Sequence, residues 1–177
     1  MGGEPFDGFP SVTTDRLSWI RTALDTIVKL GRRRVGLVST SMGNTWFSSL
    51  AAELASRDLT MLPHWRILIH TALPEGTRNA VHLLMESREV PDALLVADDV
   101  FATAAMTGIL DAGLRIGQDI DVVSHCNFPL LQPDVFPVHR VGFPVRHVLE
   151  KAFEFVDLQR KGEPTPESFA VPAVAIS

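Results

Sequence analysis

The chain has 177 residues, 46% of them apolar, with a formal net charge of −5 and a sequence pI near 5.6. That length suffices for one well-cored domain, and the acidic balance argues against a basic surface that grips nucleic acid. The single cysteine, Cys126, excludes an internal disulfide framework, and no apolar run of about 18 residues is present to span a membrane.

One cysteine also fits a reducing, cytoplasmic compartment. Met1 to Pro10 lack a basic segment followed by an apolar one, so no secretory signal is expected. Residues 1–14 hold three glycines and two prolines and read as an extended lead-in. Asp15 is a suitable N-cap for a helix with an apolar stripe of Leu17, Ile20, Leu24, Ile27 and Val28, ending at Lys29-Leu30-Gly31. The basic triplet Arg32–Arg34 reads as the solvated mouth of a strand over Val35 to Ser39, since three charges make too small a patch for phosphate.

A polar loop, Ser39 to Asn44, leads to a helix from about Thr45 to Arg57. A strand over Trp65 to Thr71 follows, then a helix opened by Pro74, with Val81, Leu84 and Met85 on its buried side. From Val90 to Asn127 the chain reads as one strand–helix–strand unit. Ala93 to Ala97 form a buried strand, Asp98 or Asp99 caps a helix from Val100 to Ala112, Gly113 stops it, and Ile120 to Ser124 form the next strand. Beyond Asn127, three prolines in ten residues mark an extended loop. Val138 to Phe143 read as a strand, and Pro144 opens an apolar helix to about Lys161. Ser168 to Ile176 form a last strand, which Pro172 pushes to a sheet edge.

Helices alternating with short apolar strands predict an α/β fold, an open, mostly parallel, doubly wound sheet with helices on both faces. Ligands in such sheets bind beyond the carboxyl ends of the strands. Those ends here carry Ser39, Thr40 and Ser41; His70 and Thr71; Asp98 and Asp99; and His125, Cys126 and Asn127. Together they suit a polar small molecule, although loops are commonly polar without binding anything. Asp98-Asp99 could in principle hold Mg²⁺, but adjacent residues point apart and one is needed as a cap. His125-Cys126 fails as a nucleophile pair because strand neighbours project to opposite faces. His70 and His82 lack metal-ligand spacing with any other His or Cys, and neither a phosphate loop nor a dinucleotide fingerprint occurs. No catalytic constellation, metal or cofactor is therefore expected.

The central unit, P-D-A-L-L-V-A-D-D-x-x-A and then A-G-L-R-I-G-x-D-I-D-V-V-S, resembles the C-terminal effector-domain signature of LacI/GalR-type transcription regulators. P-S-V-T-T-D before a helix, L-G-R-R-R-V-G-L-V, F-P-V-H-R-V and K-G-E-P-T-P are similar to other landmarks of that family, so the resemblance covers roughly residues 10–176. It implies one lobe of a periplasmic-binding-protein-like fold: residues 15–143 as the C-terminal effector subdomain, 144–162 as a helix packing in an N-terminal lobe absent here, and 168–177 as a returning strand. Without that lobe the helix stripe (Val145, Val148, Leu149, Ala152, Phe153, Val156) is expected to be exposed or buried by self-association.

The resemblance implies a sugar-like effector held by Asp98, His125, Cys126, Asn127, Phe143, Ser41 and Thr71. It also implies a homodimer using Val100, Phe101, Ala104 and Met106, although core packing explains some of these equally well, and DNA contact only through a helix-turn-helix that this chain lacks. The chain departs from the family at informative places. Asp98 stands where asparagine is usual, Cys126 where an aspartate commonly takes ligand hydroxyls, and Leu50 near a usual arginine. A transport solute receptor of the same fold and a small flavodoxin-like enzyme are the alternatives; the first needs an export signal, the second a catalytic pair.

Overall fold

The computed structural model describes residues 9–40, 43–69, 74–129 and 136–176. The helix expected after Asp15 forms as α1 (Arg16–Lys29), and the Asp15 carboxylate accepts a hydrogen bond from the Ser18 amide at 2.9 Å. Such a cap contributes about 1 kcal/mol. Gly31, with φ of 77°, turns the chain out of the helix. Ile20, Leu24 and Ile27 are buried as their spacing predicts, but Trp19 and Ala23 complete the stripe. Leu17, expected within it, is exposed.

Strand β1 (Ser11–Thr14) precedes α1, where only an extended lead-in was expected. Then come β2 (Val35–Thr40), α2 (Asn44–Ala55), β3 (Arg66–Ile69), α3 (Pro74–Met85) and β4 (Ala93–Val96). A 3-10 turn over Asp99–Phe101 leads into α4 (Ala102–Asp111), followed by β5 (Asp121–Phe128), β6 (Val138–Pro144) and α5 (Val145–Lys161). The last predicted strand is two: β7 (Ser168–Val171) and β8 (Val174–Ile176). Pro172 has no amide hydrogen to continue a ladder, and the chain leaves one sheet for another there.

Six strands form the main sheet in the order β3-β2-β4-β5-β6-β8. All neighbours are parallel except β8, which runs antiparallel on the edge beside β6. The doubly wound α/β prediction is thus borne out. Alternate side chains send Leu37, Leu95, Val123 and Val141 to one face, into a core with α1 and α2. Val38, Leu94, Val96 and Val122 go to the other, into a core with α3 and α4. α3 and α4 pack closely because Gly108 lies against the backbone of Arg78 and His82, where a Cβ would collide.

β1 and β7 make a separate parallel pair, Ser11 opposite Ser168 through Thr14 opposite Val171. α5 packs on that ribbon, with the His147 ring stacked on Phe169 and the Lys151 ammonium above the same ring. Three crossings join this layer to the main sheet: Thr14-Asp15, Pro144 and Pro172-Ala173. Two are tied together, since the Asp15 amide donates to the Val171 carbonyl and the Ala173 amide to the Ser18 hydroxyl, both at 2.8 Å. In α5 only Phe155 is fully buried; Leu149, Phe153 and Val156 are 52%, 67% and 48% exposed. The predicted stripe splits accordingly, with Val145, Val148 and Ala152 turned partly inward and the rest outward.

Candidate functional site

β2 sends its next strand, β3, to one side and the chain then returns to place β4 on the other. This reversal splays the loops beyond the carboxyl ends of β2 and β4 and opens a crevice there. A cleft of about 510 Å³ occupies that place, within the roughly 300–1,000 Å³ usual for small-molecule sites. It extends the core of the α1–α2 face past the edge of the sheet. Of the strand-end residues that reach it, Ala97, His125, Asn127 and Phe143 share the phase of that face, and Thr40 reaches it from the end of β2.

Thr40 ends β2, and Ala97, Asp98, Asp99 and Val100 follow β4. Asp98 caps the 3-10 turn, its carboxylate accepting the Val100 amide at 3.3 Å, so the expected capping carboxylate is the first of the pair. His125 and Asn127 come from β5 and Phe143 from β6, all facing the cleft. The remaining wall comes from β1 and the first turns of two helices: Thr14, Arg16 and Trp19 from the β1–α1 junction, Gly43 and Trp46 from the start of α2. Both helices begin at this edge of the sheet, because α1 runs down towards the start of β2 and α2 rises directly after its end.

The aromatic residues form one continuous wall. The His125 ring lies 5.9 Å from the Trp19 ring and 6.0 Å from the Phe143 ring, tilted to both. The Trp19 indole nitrogen donates to the Val141 carbonyl at 2.9 Å, which fixes the ring and uses its only donor. Burial pushes the His125 imidazole below its ordinary value of 6.5, against the opposing pull of the Asp99 and Asp98 carboxylates. The unfolded chain therefore binds a proton that the folded chain resists. This contribution to stability is complete at neutral pH and is lost as pH falls from about 6.5 towards the folded value. Denaturant titrations between pH 7.5 and 5.5 should show His125→Gln losing less stability on acidification than the parent chain. Parallel curves would contradict the burial effect.

Asp98, His125, Asn127 and Phe143, expected as a set, are brought to one cleft. Cys126 is not: it is buried, and its strand position turns it to the opposite face from His125 and Asn127. Ser41 and Thr71, with His70, lie outside the described residues. The expected dimer residues also separate. Phe101 and Met106 are in the core beneath α3 and α4, which removes them from any surface. Val100 is 53% exposed at the cleft mouth and Ala104 is half-buried.

The cause is the 3-10 turn. At about three residues per turn it shifts the phase against an α-helix starting at Val100, and Phe101 rotates inward. Thr14, Arg16, Trp19 and Trp46 escaped the sequence reading. The available signal was an aromatic within the first turn of each helix that starts at the ligand edge. Among the described residues, no group of three or more His, Cys, Asp or Glu is placed to hold a metal ion, and no helix is long and apolar enough to cross a membrane.

The periplasmic binding protein-like domain family matches residues 24–176. The transcriptional regulator AglR of Rhizobium meliloti is 29% identical over 143 residues, 77% of this chain and 39% of that protein. The ribose operon repressor of Haemophilus influenzae is 24% identical over 146 residues, 80% of this chain and 43% of that one. The crystal structure of a LacI-family regulatory protein from Chloroflexus aggregans superimposes with a TM-score of 0.85 at 20% identity, over 98% of this chain and 64% of that chain. The chain thus spans less than half the length of these curated relatives, which are transcription regulators and not enzymes. It belongs to the periplasmic binding protein-like domain family, and its resemblance within that family is to LacI-type transcription regulators.

Proposed function

We propose that this chain is the effector-binding and dimerising portion of a LacI/GalR-like transcription regulator, sensing a sugar-like ligand in the cytoplasm. The observation that carries the reading is the cleft: aromatic walls beside carboxylate, amide and hydroxyl groups, at the switch point of a parallel sheet. Aromatic faces suit the C–H face of a sugar ring, and Asp98, Asn127 and Thr40 suit its hydroxyls. A relative named for a ribose operon supports the same ligand class.

In this reading residues 15–143 form one lobe, and α5 with the β1–β7 ribbon belongs to a second lobe contributed by other residues. The exposed Leu149, Phe153 and Val156 are then the docking face for that lobe. Ligand that binds the closed cleft better than the open one shifts the lobes, and with them DNA-binding heads outside this chain. Dimerisation falls to the outer surface of α3 and α4, where Leu83 and Leu110 are exposed.

A panel of neutral and aminated pentoses and hexoses tests the reading by calorimetry. At least one should bind, and Asp98→Ala should weaken it about tenfold or more, as removal of a hydrogen bond from a charged group does. Binding that Asp98→Ala leaves untouched would remove the site assignment, and a panel without a binder would remove the sugar reading.

A further inference from the structure

We infer that the cleft selects an amine-bearing, polyhydroxylated effector, of the amino-sugar class, in which Asp98 and Asp99 hold the ammonium group. The inference rests on the sugar reading above and sharpens it. It starts from the charge on the cleft wall. Asp98 and Asp99 both line it, and neither forms an ion pair among the described residues. One oxygen of Asp98 caps the turn, which leaves the other available as an acceptor.

One cationic side chain, Arg16, lines the same wall, so the two carboxylates there outnumber a single guanidinium. His125 brings no compensating charge at neutral pH, because its burial favours the uncharged ring. Two carboxylates in a crevice half-walled by rings feel less solvent screening than carboxylates on an open surface. An anionic ligand is disfavoured there, and a neutral one leaves the charge uncompensated.

The aromatic wall points the same way. Trp19 has spent its N–H on Val141, so it offers ring surface rather than a donor. With Trp46 and Phe143 it lines the cleft, and aromatic rings attract an ammonium group. Thr40 and Asn127 remain for hydroxyls. A cation next to hydroxyls, on a compact scaffold, matches both halves of this lining.

Calorimetry of the full chain at pH 7 against matched triplets reads the preference directly: glucosamine, glucose and N-acetylglucosamine, with the galactose and mannose equivalents. The N-acetyl forms keep the nitrogen and remove its charge. At least one amine should bind about tenfold or more tighter than its two neutral counterparts, as a charge-assisted hydrogen bond provides, and raised salt should narrow the gap. The double substitution Asp98→Asn with Asp99→Asn should abolish the preference while preserving the turn, because asparagine caps as well as aspartate. Neutral sugars binding as tightly as the amines would overturn the inference and leave the sugar reading standing. No binding by any member would overturn both.

Discussion

Gly142→Ala is expected to be among the most destabilising single substitutions in the chain. Gly142 pairs with Cys126 in the parallel β5–β6 ladder. A Cβ there would land on the Cys126 carbonyl oxygen, with the carbonyl carbon only 2.6 Å and the amide nitrogen 3.0 Å away. All three are backbone atoms of a central strand, so no flexible side-chain end is available to yield. Relief requires the two strands to part at the point where the ladder continues to Phe128 opposite Pro144. That sacrifices hydrogen bonds in the sheet and disturbs Val141 and Phe143 on either side, both buried in the α1–α2 core. The expected loss is on the order of 4–5 kcal/mol, at the extreme of single substitutions and a large part of a domain's stability. Circular dichroism of the purified variant is the check; a native spectrum with an unchanged melting temperature would show that the strands can separate cheaply.

The second large effect is Phe101→Ala. Phe101 is wholly enclosed, in one cluster with Val81, Ala105, Met106 and Ile109. Removing such a ring leaves a cavity, and phenylalanine truncations in cores lose about 3–5 kcal/mol. The experiment also decides between two roles for this residue. A core residue gives a loss that does not depend on protein concentration. An interface residue leaves the monomer intact and weakens only association, so its melting temperature would move with concentration. The expected result is the first. Val100→Ala, one position earlier and more than half exposed, should change stability by less than about 0.5 kcal/mol.

These two residues show where the sequence was legible and where it was not. The fold followed from local signals that nothing contradicts: the Asp15 cap, the Gly31 and Gly113 stops with positive φ, and apolar runs such as Ala93 to Ala97 that are too short to be helices. Between interface and core, Phe101 falls to the core, a choice the sequence leaves open because a 3-10 turn and an α-helix share composition and differ only in pitch. Cys126 was placed in the cleft with its neighbours although three consecutive strand residues cannot all face one way. Period two sends the middle one to the other side. His125 and Asn127 were legible for the same reason.

The β1–β7 ribbon was invisible because its partners lie some 157 positions apart (Ser11 and Ser168), and pairing at that separation leaves no periodic trace. The α1 stripe is in phase at Ile20, Leu24 and Ile27, and only its first member differs, Trp19 being buried where Leu17 is exposed. The cleft edge could have been read from the strand ends alone. Its ceiling obeys the same rule, since a helix joining parallel strands starts at the carboxyl edge whatever the strand order, and Trp19 and Trp46 in those first turns mark it.

The triple crossing between ribbon and sheet has a mechanical consequence. A single connecting strand behaves as a string: it limits distance and leaves orientation loose. Backbone crossing at Thr14-Asp15, Pro144 and Pro172-Ala173, with the first and last stitched by hydrogen bonds from Asp15 and Ala173, behaves as a strap of some breadth. Such a strap bends readily about the line across it and resists torsion about its length. Any motion between the two layers is thereby expected to run mainly through one angle, as a hinge of several strands allows.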